Sequence, residues 1–441
     1  MKVQPEVVMP VSRNILCDLL VEAGVAPAVA EAIRPDVPLL RQGVDSLDFS
    51  AFCLAVENRF GLSLDERDTL SLRTLDDFVA YLRTARGDAA AKVDPAGRLL
   101  ENWQEVEAGR SYVVGPLRPG DGQGVAQLFY TIYGDRYPVE DYYRPERIEA
   151  LNAQGHLLTV VARLETGIVA GQGAYFQSSP PNKALFEFGQ VMVDSAYRHT
   201  SMPARILREM NRLSRSMSQA QGFFGEAVCS HIVTQKLVDT QGYVECGLEA
   251  SLMPAGAYEK EGAGGQRVSC LLGARIDRDR HMALHLPECY RRELAFVLEG
   301  FSLDREVRFG GPDRPTAPQT VFERRLFDFA QVERVQASRI GADFPERAAA
   351  LDQEATARGL AVVQVFVNAG DPGTAFAVEA LRERGFFLGG LIPLWFGTDG
   401  LLMQKLNVAP EFDSINLYSA RGKALLEFVR ADYSRFRKSS G

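Results

Sequence analysis

Apolar and polar positions follow two different periods along this 441-residue chain, a helical period near the N-terminus and a strand-like period further on. The run after Ser46 has apolar residues at the spacing of a helix with one buried face: Leu47, Phe49, Phe52, Leu54, Ala55, Val56 and Phe60. Amphipathic helices are also predicted near 11–23 and over 74–82. The segment 84–97 is rich in alanine, glycine and charge and has little to bury, so it is predicted to be a linker.

From residue 111 onward, strands and helices alternate. Strands are predicted over 111–117, 157–164, 168–176, 184–193, 223–229, 243–248 and 268–274. Helices are predicted over 119–132, 143–152, 202–218 and 232–240.

A weaker form of the same alternation returns over 281–441. It consists of strand-like positions over 321–340, a helix over 344–358, a strand over 360–368, a helix over 374–384, and strands over 386–395 and 400–406. In both halves a helix is followed by a glycine and an aromatic residue, Gly242-Tyr243 and Gly385-Phe386. This recurrence indicates an internal repeat, in which the second copy packs on the first.

Composition and charge exclude several classes of protein. A length of 441 residues allows two to four domains, and 46% hydrophobic content is ordinary for a globular protein. The net charge of -8 argues against a nucleic-acid-binding protein. We find no apolar run long enough for a membrane span, no signal peptide, and no metal-binding spacing among the six cysteines. A reducing, cytoplasmic location without a metal site is therefore expected.

Ser46 stands in the segment Gly43-Val44-Asp45-Ser46-Leu47-Asp48, at the predicted start of a helix. Free backbone N–H groups and the positive end of the helix dipole favour a phosphate at such a position. The same pattern also fits a helix cap, in which Ser46 or Asp45 accepts from the first turn and Asp48 reaches back. These six residues alone leave both interpretations open.

Residues 11–85 resemble an acyl or peptidyl carrier protein along their whole length, through the Asp45-Ser46-Leu47 motif and its helix, the loop over 36–40 and the turn over 60–64. The resemblance implies that Ser46 carries a 4′-phosphopantetheine arm, whose thiol holds an acyl group as a thioester. It also implies a phosphopantetheinyl transferase that attaches the arm and an acyl-activating or adenylating enzyme that charges it. The region between Asp36 and Asp77 has a net charge of -5, from nine acids and four arginines, which fits docking on basic surfaces.

Residues 111–276 resemble the GNAT fold of N-acyltransferases in the order of their predicted elements. In that family an Arg/Gln-x-x-Gly-x-Gly/Ala turn holds the pyrophosphate of coenzyme A through backbone amides. Here Arg198 matches, but Ser201 and Pro203 replace the glycines, and Pro203 has no N–H to donate. Such a turn is expected if the arm on Ser46 replaces coenzyme A. The resemblance assigns these residues to binding of the arm: Val191, Val193, Arg198 and Ser201.

The candidates for proton transfer are polar residues on two neighbouring predicted strands or just after them: Glu187, Gln190, Glu226, Cys229 and His231. In the GNAT family a tyrosine four residues before the Gly-aromatic pair often protonates the leaving thiolate, but this chain has Val238 there. Glu187 stands between two phenylalanines, and burial would raise the pKa of its carboxyl group toward a useful value. The alternatives are an exposed glutamate for Glu187 and a structural hydrogen-bonding role for His231. Cys229 is either a nucleophile or a buried, inert thiol.

The sequence therefore predicts a multidomain protein. An all-α four-helix carrier domain occupies 1–86, a linker 87–108, an α/β (α+β) GNAT-like acyltransferase domain 109–280, and a degenerate GNAT-like domain 281–441. The predicted activity is transfer of an acyl or aminoacyl group from the carrier thioester to an amine of a small molecule in secondary-metabolite biosynthesis. Two alternatives stay open: loading of the arm from acyl-coenzyme A, and a non-catalytic carrier scaffold.

Overall fold

The computed structural model describes residues 13–35, 37–60, 62–64, 72–79, 81–82, 99–100, 102–134, 137, 139–254 and 267–439. The chain divides into two compact units, residues 1–98 and 99–441. The linker predicted over 84–97 lies outside the described residues, as do Asp36, Gly61 and the acids of 65–68.

The first unit is helical. Its helices are α1 (Arg13–Glu22), α2 (Pro27–Ala32) and α3 (Ser46–Phe60), and residues 75–79 and 81–82 are also helical. The apolar face of α3 is buried, and the rings of Phe52 and Phe78 lie 4.9 Å apart in the core. Burial of this single face stabilises the small helical domain that the periodicity predicted.

The second unit contains fourteen described strands and eight described helices. The strands are β1 (Tyr112–Pro116), β2 (Leu157–Leu164), β3 (Val169–Phe176), β4 (Leu185–Val193), β5 (Gly222–Val228), β6 (Val244–Pro254), β7 (Arg267–Ile276), β8 (Met282–Pro287), β9 (Arg305–Gly310), β10 (Val321–Phe327), β11 (Val332–Arg339), β12 (Val362–Asn368), β13 (Phe387–Ile392) and β14 (Gly400–Leu406). The helices are α4 (Gly122–Tyr133), α5 (Pro145–Ala153), α6 (Met202–Ser214), α7 (Val233–Asp239), α8 (Arg291–Glu299), α9 (Phe344–Ala357), α10 (Thr374–Arg382) and α11 (Ala420–Ser439).

Twelve of these strands form one sheet in the order β1-β2-β3-β4-β5-β7-β6-β13-β14-β12-β11-β10, while β8 and β9 pair separately. In the first half of the sheet, α4 and α5 cover one face and α6 and α7 the other. The buried side of α6 has the spacing of Met202, Ile206 and Met210. Gly171 and Gly173 on β3 make room for these side chains, since a Cβ at Gly171 would lie 3.0 Å from Ile206.

The two halves of the sheet repeat one topology. The order β3-β4-β5-β7-β6 in the first half recurs as β10-β11-β12-β14-β13 in the second. In both, the second and third strands are parallel and the other pairs are antiparallel. The predicted fold class, a helical carrier domain followed by two GNAT-like modules of which the second is incomplete, is confirmed.

One predicted strand-like segment divides into two strands, and one predicted boundary stays a prediction. The segment 321–340 forms two strands, β10 and β11, because the chain turns between them at Gln331, which has φ +53°. The domain boundary predicted after residue 280 falls inside the second compact unit, so 109–280 and 281–441 as separate domains remain a prediction. Among the described residues, no helix combines the length and apolarity needed to cross a membrane.

The halves join where β6 meets β13, at Gly247 opposite Gly390. A Cβ at Gly247 would lie 2.8 Å from the carbonyl oxygen of Gly389, and a Cβ at Gly390 would overlap the backbone of Cys246 and Gly247. Gly390 also has φ +148°, which favours glycine.

Replacing Gly390 by alanine is expected to lower the free energy of unfolding by about 3 kcal/mol, because it adds backbone strain to an overpacked junction. Urea unfolding of the full chain measures this. Gly311→Ala is the matched control, since a Cβ there meets nothing within 4 Å and φ is not positive. Equal unfolding midpoints for the two variants would contradict a tight junction at Gly390.

Candidate functional site

The parallel strands β4 and β5 pair over only three positions and then separate. Residues 185–187 pair with 222–224, whereas β11 and β12, the equivalent strands of the second half, pair over six positions. Beyond Glu187, β4 therefore has a free edge toward β5. A free edge presents N–H and C=O groups with which an extended, amide-bearing chain can pair.

A bulge distorts β4 along this free edge. Gly189 pairs with Ala174 and Met192 with Gln172, so Gln190 and Val191 both oppose the one β3 residue between those partners. A bulge leaves its extra residue unpaired. Gln190 has φ +55°, an unusual conformation for a residue other than glycine. Such strain is often found at functional sites.

Glu187 lies on β4 where the two strands separate. Its side chain is half-buried, and its β3 partner Phe176 packs under α4 and α5. Burial and the neighbouring carboxylate of Glu226 raise the pKa of Glu187 to about 8. A carboxyl group with this pKa is matched to proton exchange near neutral pH.

A buried cluster of polar side chains joins the two halves of the sheet beside Glu187. Nη2 of Arg334, on β11, lies 2.9 Å from Oε1 of Glu249 on β6 and 3.3 Å from Oε1 of Glu226 on β5. Gln364, on β12, accepts from Nε of Arg334 and donates to Glu249, both at 2.7 Å. The side chains of Arg334 and Glu249 are 7% and 0% exposed, so the cluster is shielded from solvent. Burial, with Glu226 nearby, raises the pKa of Glu249 to about 8.

Arg198 and Ser201 follow β4 in an exposed turn, and both make contacts within the unit. Nε of Arg198 donates to the carbonyl of Val193, 3.3 Å away, at the end of β4. The hydroxyl groups of Ser201 and Tyr112 lie 3.0 Å apart.

The start of α6, directly after this turn, offers few backbone donors. The N–H of Met202 donates to Oγ1 of Thr200 (3.2 Å), and Pro203 has no N–H. Of the first three helical residues, only Ala204 has an N–H that the described chain leaves available. This end of the helix is therefore a poor cradle for a pyrophosphate.

The structure brings Glu187 and Glu226 together but places His231 elsewhere, in the turn between β5 and α7. There the His231 carbonyl accepts a hydrogen bond from Gln235, 3.2 Å away. Cys229 is buried, and burial raises the pKa of its thiol to about 12, which favours the interpretation of an inert thiol. Val191 and Val193, which the resemblance assigned to binding of the arm, lie on β4 beyond Glu187. The roles of these residues stay predictions.

Ser46 is the first residue of α3. Oδ1 of Asp45 accepts from the N–H of Asp48 (2.8 Å), and the Asp45 carbonyl accepts from Phe49 (2.9 Å). Asp45 is thus the residue that caps the helix. The cap and an attached group at Ser46 are compatible.

The comparisons identify the first unit. The family described as "Phosphopantetheine attachment site" matches residues 15–82. Residues 15–82 form a phosphopantetheine-binding carrier domain. An acyl carrier protein from Nitratidesulfovibrio vulgaris is 29% identical over 76 residues, which are 17% of this chain and 96% of that protein. The carrier domain implies covalent 4′-phosphopantetheine and a phosphopantetheinyl transferase, as predicted, and Ser46 is proposed below as the attachment point.

Solved structures similar to part of the chain include an N-acetyltransferase from Staphylococcus aureus Mu50, at 14% identity and a TM-score of 0.30, covering 38% of this chain and 98% of that one. A ribosomal-protein-alanine N-acetyltransferase from Brucella melitensis has 16% identity, a TM-score of 0.31, and coverage of 37% and 99%. Spermidine N-acetyltransferase from Vibrio cholerae has 11% identity, a TM-score of 0.30, and coverage of 37% and 93%. The strand order of the unit that follows the carrier domain agrees with the order of elements that the GNAT resemblance predicted.

Sequence reasoning missed Glu249, Arg334 and Gln364. Glu249 stands in a mostly apolar stretch from Leu248 to Leu252, and a buried charge of this kind needs a partner. That signal was available, but the partner lies 85 residues away in sequence.

Proposed function

We propose that this protein is an N-acyltransferase whose acyl donor is carried by its own carrier domain. The donor is an acyl or aminoacyl thioester on the arm at Ser46, and the acceptor is an amine of a small molecule. The opening between β4 and β5, with Glu187 and the bulge at its edge, is the observation that carries the proposal. We place the reaction in secondary-metabolite biosynthesis in the cytoplasm, with an acyl-activating or adenylating enzyme as the partner that charges the arm.

In the proposed step the neutral amine nitrogen attacks the thioester carbonyl carbon. A C–N bond forms and the C–S bond breaks, and the electron pair of that bond leaves with the sulfur. Glu187 takes the proton that the nitrogen loses and passes it to the leaving thiolate, which becomes the free thiol of the arm. A backbone N–H of β4 at the bulge stabilises the negative charge that develops on the carbonyl oxygen.

The surroundings of Glu187 support an acceptor that is cationic in solution. The carboxyl groups of Glu226 and Glu249 lie near it, with one guanidinium, that of Arg334, among them. Each of these carboxyl groups that ionises as the pH rises through about 8 adds negative charge, so the attraction for an ammonium group grows over that range. The acceptor loses its ammonium proton to solvent before it attacks, which leaves Glu187 free to take the proton released when the C–N bond forms.

Intact mass spectrometry of the full chain tests the proposal. Incubation with a phosphopantetheinyl transferase and a panel of acyl-coenzyme A donors should add acyl-pantetheine, and a suitable amine should then discharge the acyl group as an amide. A stable acyl adduct that no amine in a broad panel discharges would contradict acyl transfer. It would support the alternative of a non-catalytic carrier scaffold. Loading of the unmodified protein from acyl-coenzyme A is disfavoured, because among the first three residues of α6 only Ala204 leaves an N–H available for a pyrophosphate.

The rate of acyl discharge is expected to rise with pH through about 8, the raised pKa of Glu187. Folding raises this pKa above its ordinary value of 4.5, so the protonated form predominates at neutral pH and only the ionised fraction accepts a proton. The measurement uses an acceptor amine whose own pKa is well below neutral. In the Glu187→Gln variant the rate should not rise with pH over this range. An unchanged rise in that variant would contradict the role of Glu187 as the base.

A further inference from the structure

Glu187 and Arg334 occupy equivalent positions in the two halves of the sheet. Each parallel pair begins with the same hydrogen bonds, in which two successive N–H groups entering the second strand donate to one carbonyl just before the first strand. These bonds run from Gln221 and Gly222 to Ala184 (2.7 and 3.4 Å), and from Ala361 and Val362 to Gln331 (2.8 and 3.2 Å). Three residues beyond the accepting carbonyl stands Glu187 in the first half and Arg334 in the second. The repeat has an arginine where the first half has its carboxylate.

Arg334 does not support a second active site. In its own half β11 and β12 stay paired over six positions, so no opening exists beside it. Behind it, the rings of Phe366 and Trp395 are stacked with centroids 3.9 Å apart. The Arg334 side chain instead reaches into the first half.

Every donor of the Arg334 guanidinium is used. Nε donates to Gln364 (2.7 Å), Nη1 to Ser179 (3.0 Å) and Glu226 (3.3 Å), and Nη2 to Glu226 (3.3 Å) and Glu249 (2.9 Å). Five contacts match the five N–H groups of an arginine. Such a side chain has one orientation and fixes the carboxylates around it.

The titratable and charged groups that face Glu187 come from several elements. They are Glu226 on β5, Glu249 on β6 and Arg334 on β11, together with the phenols of Tyr137 and Tyr142 between α4 and α5. Within the described residues Arg334 contacts Glu226 and Glu249 but makes no hydrogen bond or ion pair with Glu187. One guanidinium thus holds two carboxylates and leaves the third without a cation in direct contact.

We propose that Arg334 is a positioning residue for acyl transfer: it fixes Glu226 and Glu249 beside the opening and leaves Glu187 as the carboxyl group that exchanges a proton with the acceptor. This inference rests on the proposed function. It gives the second half of the sheet a role in the reaction of the first.

Titration of Glu187 in the full chain tests the inference without requiring activity. Carboxyl signals of protein labelled with ¹³C at the glutamate side-chain carboxyl are followed by NMR, and the Glu187 signal is assigned by its loss in Glu187→Gln. Arg334→Gln should move the Glu187 midpoint upward by about one pH unit or more, because a nearby positive charge is lost. Arg334→Lys should largely restore the midpoint. At neutral pH, a shift of one unit lowers the rate of acyl discharge about tenfold.

Two further variants keep the result decisive. Arg305→Gln is the matched control: Arg305 is 3% exposed and pairs with Asp399 and Asp279, both at 2.8 Å, away from the cluster. It should destabilise the protein without moving the Glu187 midpoint. If Arg334→Gln does not fold, Glu249→Gln serves instead. It removes a negative charge near Glu187 rather than a positive one, so the titration midpoint of Glu187 should move downward.

The outcomes separate the two proposals. Suppose that the protein transfers acyl groups but Arg334→Gln leaves the titration midpoint of Glu187 unchanged. This result would overturn the role of Arg334 alone, and the same holds for Glu249→Gln if Arg334→Gln does not fold. A protein that loads an acyl group and never discharges it would overturn the proposed function, whatever the titration shows, and the role of Arg334 in transfer with it.

Discussion

Replacing Ser46 by alanine is expected to reduce acyl transfer to the uncatalysed background. Without the hydroxyl group there is no attachment point for the arm, no thiol and hence no thioester for the amine to attack. The tether also matters, because a carrier domain on the same chain raises the effective donor concentration to the millimolar range. Intact mass and product formation, measured on the same samples, should both show the loss.

Ser50→Ala is the matched control, since Ser50 is an exposed serine on the same helix. It should accept the arm and transfer acyl groups like the wild type. A high concentration of free acyl-pantetheine should restore some turnover to Ser46→Ala, because the second unit is unchanged. Attachment of the arm to Ser46→Ala at the wild-type level would show that another residue carries it.

Local pattern was sufficient to predict most elements of this fold. The helix after Ser46 begins at that residue and buries most of the predicted face, because a single amphipathic period decides both, although Leu54 is exposed. The strands predicted over 157–164 and 184–193 agree with β2 and β4 to within one residue. The segment 321–340 is strand-like as predicted, but the turn inside it was not, because the alternation of charged and apolar residues continues across a short turn and does not mark where a strand reverses.

Long-range pairing was not predictable in the same way. The strands β4 and β5 separate after three paired positions. This separation depends on both strands and on their neighbours, so the sequence of either strand alone does not show it. The position of Glu187 could be predicted from its strand, but its surroundings depend on Arg334, which reaches the neighbouring Glu226 and Glu249 from the other half of the sheet. The internal repeat was visible in sequence, whereas the contact between its two central strands was visible only in the structure.

Replacing Glu187 by glutamine is expected to reduce the rate of acyl discharge about 100- to 10,000-fold, the usual contribution of a general base. Glutamine keeps the size and polarity of the side chain but accepts no proton at neutral pH. The fold should tolerate it, because the change removes one of several mutually repelling carboxyl groups. Attachment and loading of the arm occur on the first unit and should be unaffected.

This separation of loading from discharge distinguishes an enzyme from a scaffold. Single-turnover discharge of preloaded protein gives the rate directly, with Glu323→Gln, an exposed glutamate on β10, as the control. The control should discharge at the wild-type rate. If Glu187→Gln also did so, the opening between β4 and β5 would hold the arm without using the carboxylate beside it, and the unit would present the intermediate to other enzymes rather than transfer it.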